Sequence, residues 1–218
     1  VLHLNNFNLT IADSTDVAGT IEAETTELVT LNGDVDWTGG TFVRSTSTVA
    51  IAGSGAQSIT SDGIAFYTLN ITNNGRTVTF TDVATMEMLR NDSASLTFSG
   101  GLTGTHVRVY GDDGAHTLTF GAGSTTTVRD LFLLGEAGNI ITLASDNPGV
   151  QWTLAALRWP CVRYVSVRDS DAGGGRTVFP LNSTDVSNNA NWDFGANVLV
   201  WHGATSATFS DGTNWMPN

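Results

Sequence analysis

Thr77-Val78-Thr79-Phe80-Thr81-Asp82 returns as Ser95-Leu96-Thr97-Phe98-Ser99-Gly100, and again as Thr117-Leu118-Thr119-Phe120-Gly121-Ala122. The phenylalanines are 18 and then 22 residues apart. Within each copy apolar and polar residues alternate, so one face of a strand is buried and the other carries Thr or Ser. A repeat of about 20 residues with a short strand in every copy is the pattern of a β-solenoid, in which each coil sets its apolar residues above those of the coil below. The strands then pair in parallel with the next coil, and the backbone hydrogen bonds run along the solenoid axis.

The same alternation extends in both directions. Leu2-His3-Leu4, Asn8-Leu9-Thr10-Ile11 and Tyr67-Thr68-Leu69-Asn70-Ile71-Thr72 precede the repeat. Val107-Arg108-Val109 and Tyr164-Val165-Ser166-Val167-Arg168 continue it. Only Val83 to Arg90 (VATMEMLR) has helix-forming composition, and eight residues without a stop signal make a weak helix. The competing all-β fold is a β-sandwich, which also uses short strands separated by turns. It requires tight hairpins, for which Asn74-Gly75 between Ile71 and Val78 is the best candidate. The sequence therefore predicts a right-handed parallel β-helix over residues 1–195, with the β-sandwich as alternative. Residues 196–218 form a C-terminal extension, read as a cap, an exchanged strand or the start of a following module.

Composition narrows the chemistry. Thr, Ser, Asn and Gly fill 90 of 218 positions, yet 40% of the chain is hydrophobic, which separates it from disordered sequences. All nine basic residues are Arg and there is no Lys, so Schiff-base and P-loop lysine chemistry is excluded. The formal charge of -12, with no stretch that gathers Arg among aromatics, argues against nucleic-acid binding. No apolar run is long enough for a membrane-spanning helix, so no membrane insertion is expected. One cysteine excludes an intrachain disulfide framework and a Cys-rich zinc site. Cys161, in the apolar setting Trp159-Pro160-Cys161-Val162, reads as a buried inert thiol. A chain that starts at Val1 reads as processed or excised from something longer.

Several phrases carry a resemblance. Phe66-Tyr67-Thr68-Leu69-Asn70-Ile71-Thr72-Asn73 is similar to a phrase of β-helical repeats in large secreted bacterial surface proteins. Gly138-Asn139-Ile140-Ile141-Thr142-Leu143, Pro148-Gly149-Val150-Gln151-Trp152, Tyr164 to Ala172 and Asn188-Asn189-Ala190-Asn191-Trp192 follow in the order that closes such modules. Trp201-His202-Gly203 through Asn214-Trp215 resembles the opening of the next module in a tandem array. The phrases touch most of residues 60–218, while residues 1–59 match in general style alone. The resemblance implies an extracellular, cell-surface, adhesin-like or structural protein. It transfers no catalytic residues.

Four groups of residues are candidates for a site. Asp169-Ser170-Asp171-Ala172-Gly173 alternates carboxylates before glycine, as calcium loops do, which makes Asp169 and Asp171 the metal candidates and calcium the cofactor they would take. The competing reading is a turn whose Asp side chains cap backbone amides, and it has the greater weight. A polysaccharide-active β-helix would need an acid/base set, for which Asp112, Asp113, His116, Arg168 and Asp169 are the available residues. The four histidines, at 3, 106, 116 and 202, show no ligand spacing and read as surface residues. Finally, Val1, Leu2 and Leu4 at one end and Val198, Leu199, Val200 and Trp201 near the other are apolar without a polar cap, so they are the candidate assembly contacts. The expected function is a non-catalytic structural or adhesive module, with head-to-tail filament assembly as its sharper form. Its partners would be further copies, neighbouring modules of the same polypeptide, or surface glycans. A phage fibre or tail spike and a polysaccharide-active enzyme are the alternatives.

Overall fold

In the computed structural model, residues 1–72, 75–92, 94–195, 200–201, 208 and 215–216 are described. Their strands wind into a parallel β-solenoid of about nine turns. One sheet runs through Leu9–Ile11, Leu28–Leu31, Thr48–Ile51, Ala65–Ile71, Ala84–Asn91, Leu102–Tyr110, Thr125–Leu134, Trp152–Ala156 and Ser170–Asp171, with Cys161–Arg163 also paired to Thr125–Leu134. The facing sheet runs through Thr15–Asp16, Val35–Asp36, Gln57–Thr60, Thr77–Phe80, Ser95–Phe98, His116–Phe120, Ile141–Ser145, Val165–Arg168 and Thr184–Ser187. A third sheet, Leu2–His3, Thr20–Glu22 and Thr41–Val43, belongs to the first three turns alone. From Ala65 onward the strands of the first sheet lengthen to between 7 and 10 residues over four turns. Phe42 of the third sheet meets Phe66 of the first long strand at 6.3 Å between ring centroids.

Register explains the core. Val78 pairs with Leu96, Leu96 with Leu118, Leu118 with Leu143 and Leu143 with Val167, one inward column through five turns. Phe80, Phe98 and Phe120 form the column beside it. Phe120 is followed in register by Ser145, and Trp152 from the opposite sheet stacks on the Phe120 ring at 3.8 Å instead. On the first sheet Val49, Leu69, Leu89, Val107 and Leu131 make a matching column. Burying a large aliphatic or aromatic side chain contributes about 1.5–3 kcal/mol, and here every turn repeats the same burial. Asn91 is the polar member of the adjoining column: its amide donates to Ala94 O at 2.8 Å and accepts from Ala94 N at 3.1 Å, so the buried group is satisfied.

The β-sandwich is set aside, because the strand pairs of the solenoid sheets among the described residues are parallel and join successive turns. The strands on either side of Gly75 do not form a hairpin: Ala65–Ile71 lies in the first sheet and Thr77–Phe80 in the facing one, while Asn74 lies outside the described residues. The segment with helix-forming composition is the strand Ala84–Asn91, with Met86 and Leu89 inward and Met88 and Arg90 outward. Ladder bonds to the turns on both sides override local propensity there. Gly101 has φ +92°, and a Cβ on it would stand 2.3 Å from Thr125 O, so this bend between the sheets requires glycine. Among the described residues of the extension, Val200–Trp201 pairs antiparallel with Trp215–Met216 in a sheet of its own.

Candidate functional site

The repeat gathers one ionisable cluster that linear reading missed. In the third sheet His3 is the register partner of Glu22. His3 Nδ1 lies 2.7 Å from Glu22 Oε2 and 3.6 Å from Glu24 Oε1. One ligand atom from each of the three residues falls within 4.8 Å of the others. Beside them the buried Glu27 carboxylate accepts backbone N–H bonds from Asn6 and Glu24, each at 3.2 Å, and from Thr25 at 2.8 Å. Burial raises the Glu27 pKa, but these donors outweigh it and hold the group below the ordinary carboxylate range. Glu27 thereby ties the corner that carries Glu24 to the preceding turn. The sequence held a signal for this cluster: His3 and Glu22 are 19 residues apart, one repeat.

Asp169 and Asp171 lie on successive alternate positions of the turn that leads into Ala172–Gly174. Asp169 is buried at φ +56°, and its Oδ1 accepts from Asn188 Nδ2 at 2.8 Å. That amide holds its carboxyl below the usual range against the effect of burial, with the Gly149 N–H and Arg168 acting in the same direction. Asp171 Oδ1 caps the short 3-10 turn by accepting from Gly173 N at 2.7 Å, and it also accepts from Asn191 Nδ2 at 3.2 Å. Asn188, Asn189 and Asn191 of the next turn thus face Asp169, Ser170 and Asp171. Asp171 thus caps a backbone amide, whereas the Asp169 carboxylate is held by the Asn188 side-chain amide.

The residues considered for acid/base chemistry are distributed differently. Asp112 and Asp113 are exposed in a turn. His116 is turned into the core, with Nδ1 3.2 Å from Gly114 O and Nε2 without a partner; burial pushes its pKa down. Arg168 Nε lies 3.5 Å from Asp169 Oδ2. Cys161 is buried, which pushes its thiol up to about 11 against the opposing pull of Arg163.

No linear stretch gathers Arg with aromatics, yet the solenoid does so across turns. Arg44 lies over Tyr67, Arg90 over Tyr110 and Arg108 over Phe132, at 5.9, 5.5 and 5.2 Å from the ring centroids. Arg90 and Arg108 are register partners, and Arg108 is paired in turn with Phe132. Arg44 is also paired with Glu87 and Arg90 with Asp92. Arg108 has no carboxylate partner among the described residues.

At the first turn Val1 and Phe7 are exposed and Leu2 is half-exposed, whereas Leu4 is buried in the core. Val1, Leu2, Leu9, Ile11, Val17 and Ile21 border an open cleft of about 450 Å³ on this turn. Of the second set of candidate contacts, Val200 and Trp201 are described as a strand, and Val198 and Leu199 lie outside the described residues. The class these observations define is a parallel β-solenoid protein. Comparison with known proteins returned no matching family model, no matching curated sequence and no matching solved structure. The adhesin-module reading therefore rests on the sequence phrases.

Proposed function

We propose that the chain is a rigid structural and adhesive module of an extracellular surface protein, without a catalytic role. The observation that supports this most directly is the parallel pairing of strands through about nine turns, with inward columns such as Val78-Leu96-Leu118-Leu143-Val167 held in register over five of them. A solenoid of this kind is a stiff spacer whose length grows with the number of turns. Arg108 on the outer face, without a carboxylate partner among the described residues, supports the adhesive part, because guanidinium groups bind carboxylates. The exposed apolar residues of the first turn support end-on contact with a neighbouring module or a second copy.

Electron microscopy of the protein from its natural source tests the reading. Filaments that repeat at one solenoid length indicate a head-to-tail subunit, and single rods within a longer chain indicate a spacer module. Compact trimers would indicate a fibre or spike instead, and release of reducing ends from glycans would indicate an enzyme. Either of the last two results overturns the proposal.

A further inference from the structure

We propose that His3, Glu22 and Glu24 bind a divalent transition-metal ion of the zinc class, and that the ion ties the first turn of the solenoid to the second. Three features carry this. The donor set is one imidazole nitrogen and two carboxylates, the chemistry zinc takes and calcium, which prefers six or more oxygens, does not. The spacing also fits. Zinc bonds of 2.0–2.2 Å in a tetrahedron set donors about 3.3 Å apart. The three donor atoms lie within 4.8 Å of one another. Glu24 is close to the tetrahedral value at 3.6 Å, and Glu22, at 2.7 Å, needs a small side-chain rotation outward.

The third feature is charge. His3 Nδ1 lies 2.7 Å from Glu22 Oε2, and the two carboxylates share this one imidazole. Glu24 Oε1, at 3.6 Å, is beyond hydrogen-bond reach of the same nitrogen. Among the described residues no arginine is paired with Glu22 or Glu24. A divalent cation among the three groups would neutralise both carboxylates at once. The ligands are held for it: His3 and Glu22 by the parallel ladder, and Glu24 by the Glu27 contacts that link its backbone and that of Asn6. Three protein ligands leave a fourth tetrahedral position for water or a group from a neighbouring molecule.

The test uses the untagged full chain, stripped of metal, titrated with Zn2+ by calorimetry and with Co2+ by visible absorption. One equivalent of each should bind, with Co2+ giving ligand-field bands and Ca2+ failing to displace it. His3→Gln, Glu22→Gln and Glu24→Gln should each weaken binding at least tenfold. His3 and Glu24 are exposed and Glu22 is half-buried, so the variants are expected to fold, and unchanged circular dichroism confirms it. Zn2+ should raise the melting temperature of the wild type and leave that of His3→Gln unmoved. No binding, or binding that survives all three substitutions, overturns the assignment.

Discussion

Phe80 and Phe98 stand one turn apart in the same column, with ring planes 8° from parallel and centroids 5.3 Å apart. Phe98 in turn stacks on Phe120 at 5.7 Å, so its ring is sandwiched within the core. Truncating it leaves a cavity that the paired strands on either side cannot close by shifting. Phe98→Ala should lower the unfolding free energy by about 3–5 kcal/mol, read from denaturant titration. Phe98→Leu should cost clearly less. Equal losses for the two would show that the volume Leu retains plays no part.

Cys161 should be slow to react. Its thiol titrates at about 11 because burial disfavours the thiolate, whereas an unfolded cysteine titrates near 9.0. At pH 8 a disulfide-exchange reagent should label the native protein at least tenfold more slowly than the denatured chain. The same displacement makes the folded state lose stability as pH rises from 9 toward 11, since only the unfolded thiol ionises in that window. Rapid native labelling would contradict the buried placement.

His116 should make the fold sensitive to mild acid. Burial holds its folded pKa below the ordinary value of 6.5, so between those two values the unfolded chain binds the extra proton. Stability from this residue is present above pH 6.5 and falls as pH drops through the folded value. In His116→Leu, the change in stability between pH 7 and pH 5 should be smaller than in the wild type. Identical pH profiles would remove His116 from the acid response.

Calcium at Asp169 and Asp171 has a direct consequence. Chelation should lower the melting temperature, and Asp171→Asn should abolish that shift. A melting temperature unmoved by chelator leaves Asp171 as a turn cap on Gly173 and Asn191, and Asp169 as an acceptor for Asn188.

Much of the fold was legible because a β-solenoid writes its tertiary contacts into a short sequence period. Phe80, Phe98 and Phe120 are spaced as coils, so reading them as stacked required only parallel register. Residues 84–91 were harder, since Met, Glu and Leu favour a helix locally and only the ladders on both sides make them a strand. Trp152 is interior and fills the space that Ser145 leaves beside Phe120. Trp159, by contrast, is exposed, with Arg176 over its ring at 5.2 Å. Sequence cannot separate the two tryptophans, because both sit in apolar surroundings and the difference lies in which sheet faces which.

Strand alternation, the repeat of about 20 residues, the inward faces and the apolar setting of Cys161 can be read along the chain, since each follows from sequence neighbours. The tertiary structure decided which distant side chains meet. His3 reaches Glu22 and Glu24, and Arg90 and Arg108 align over Tyr110 and Phe132, only because each turn rises by one strand spacing of about 4.8 Å. Repeat lengths vary from turn to turn, so the register that brings outward residues together is set by the turns between strands. A site built across coils becomes readable only when that register is known.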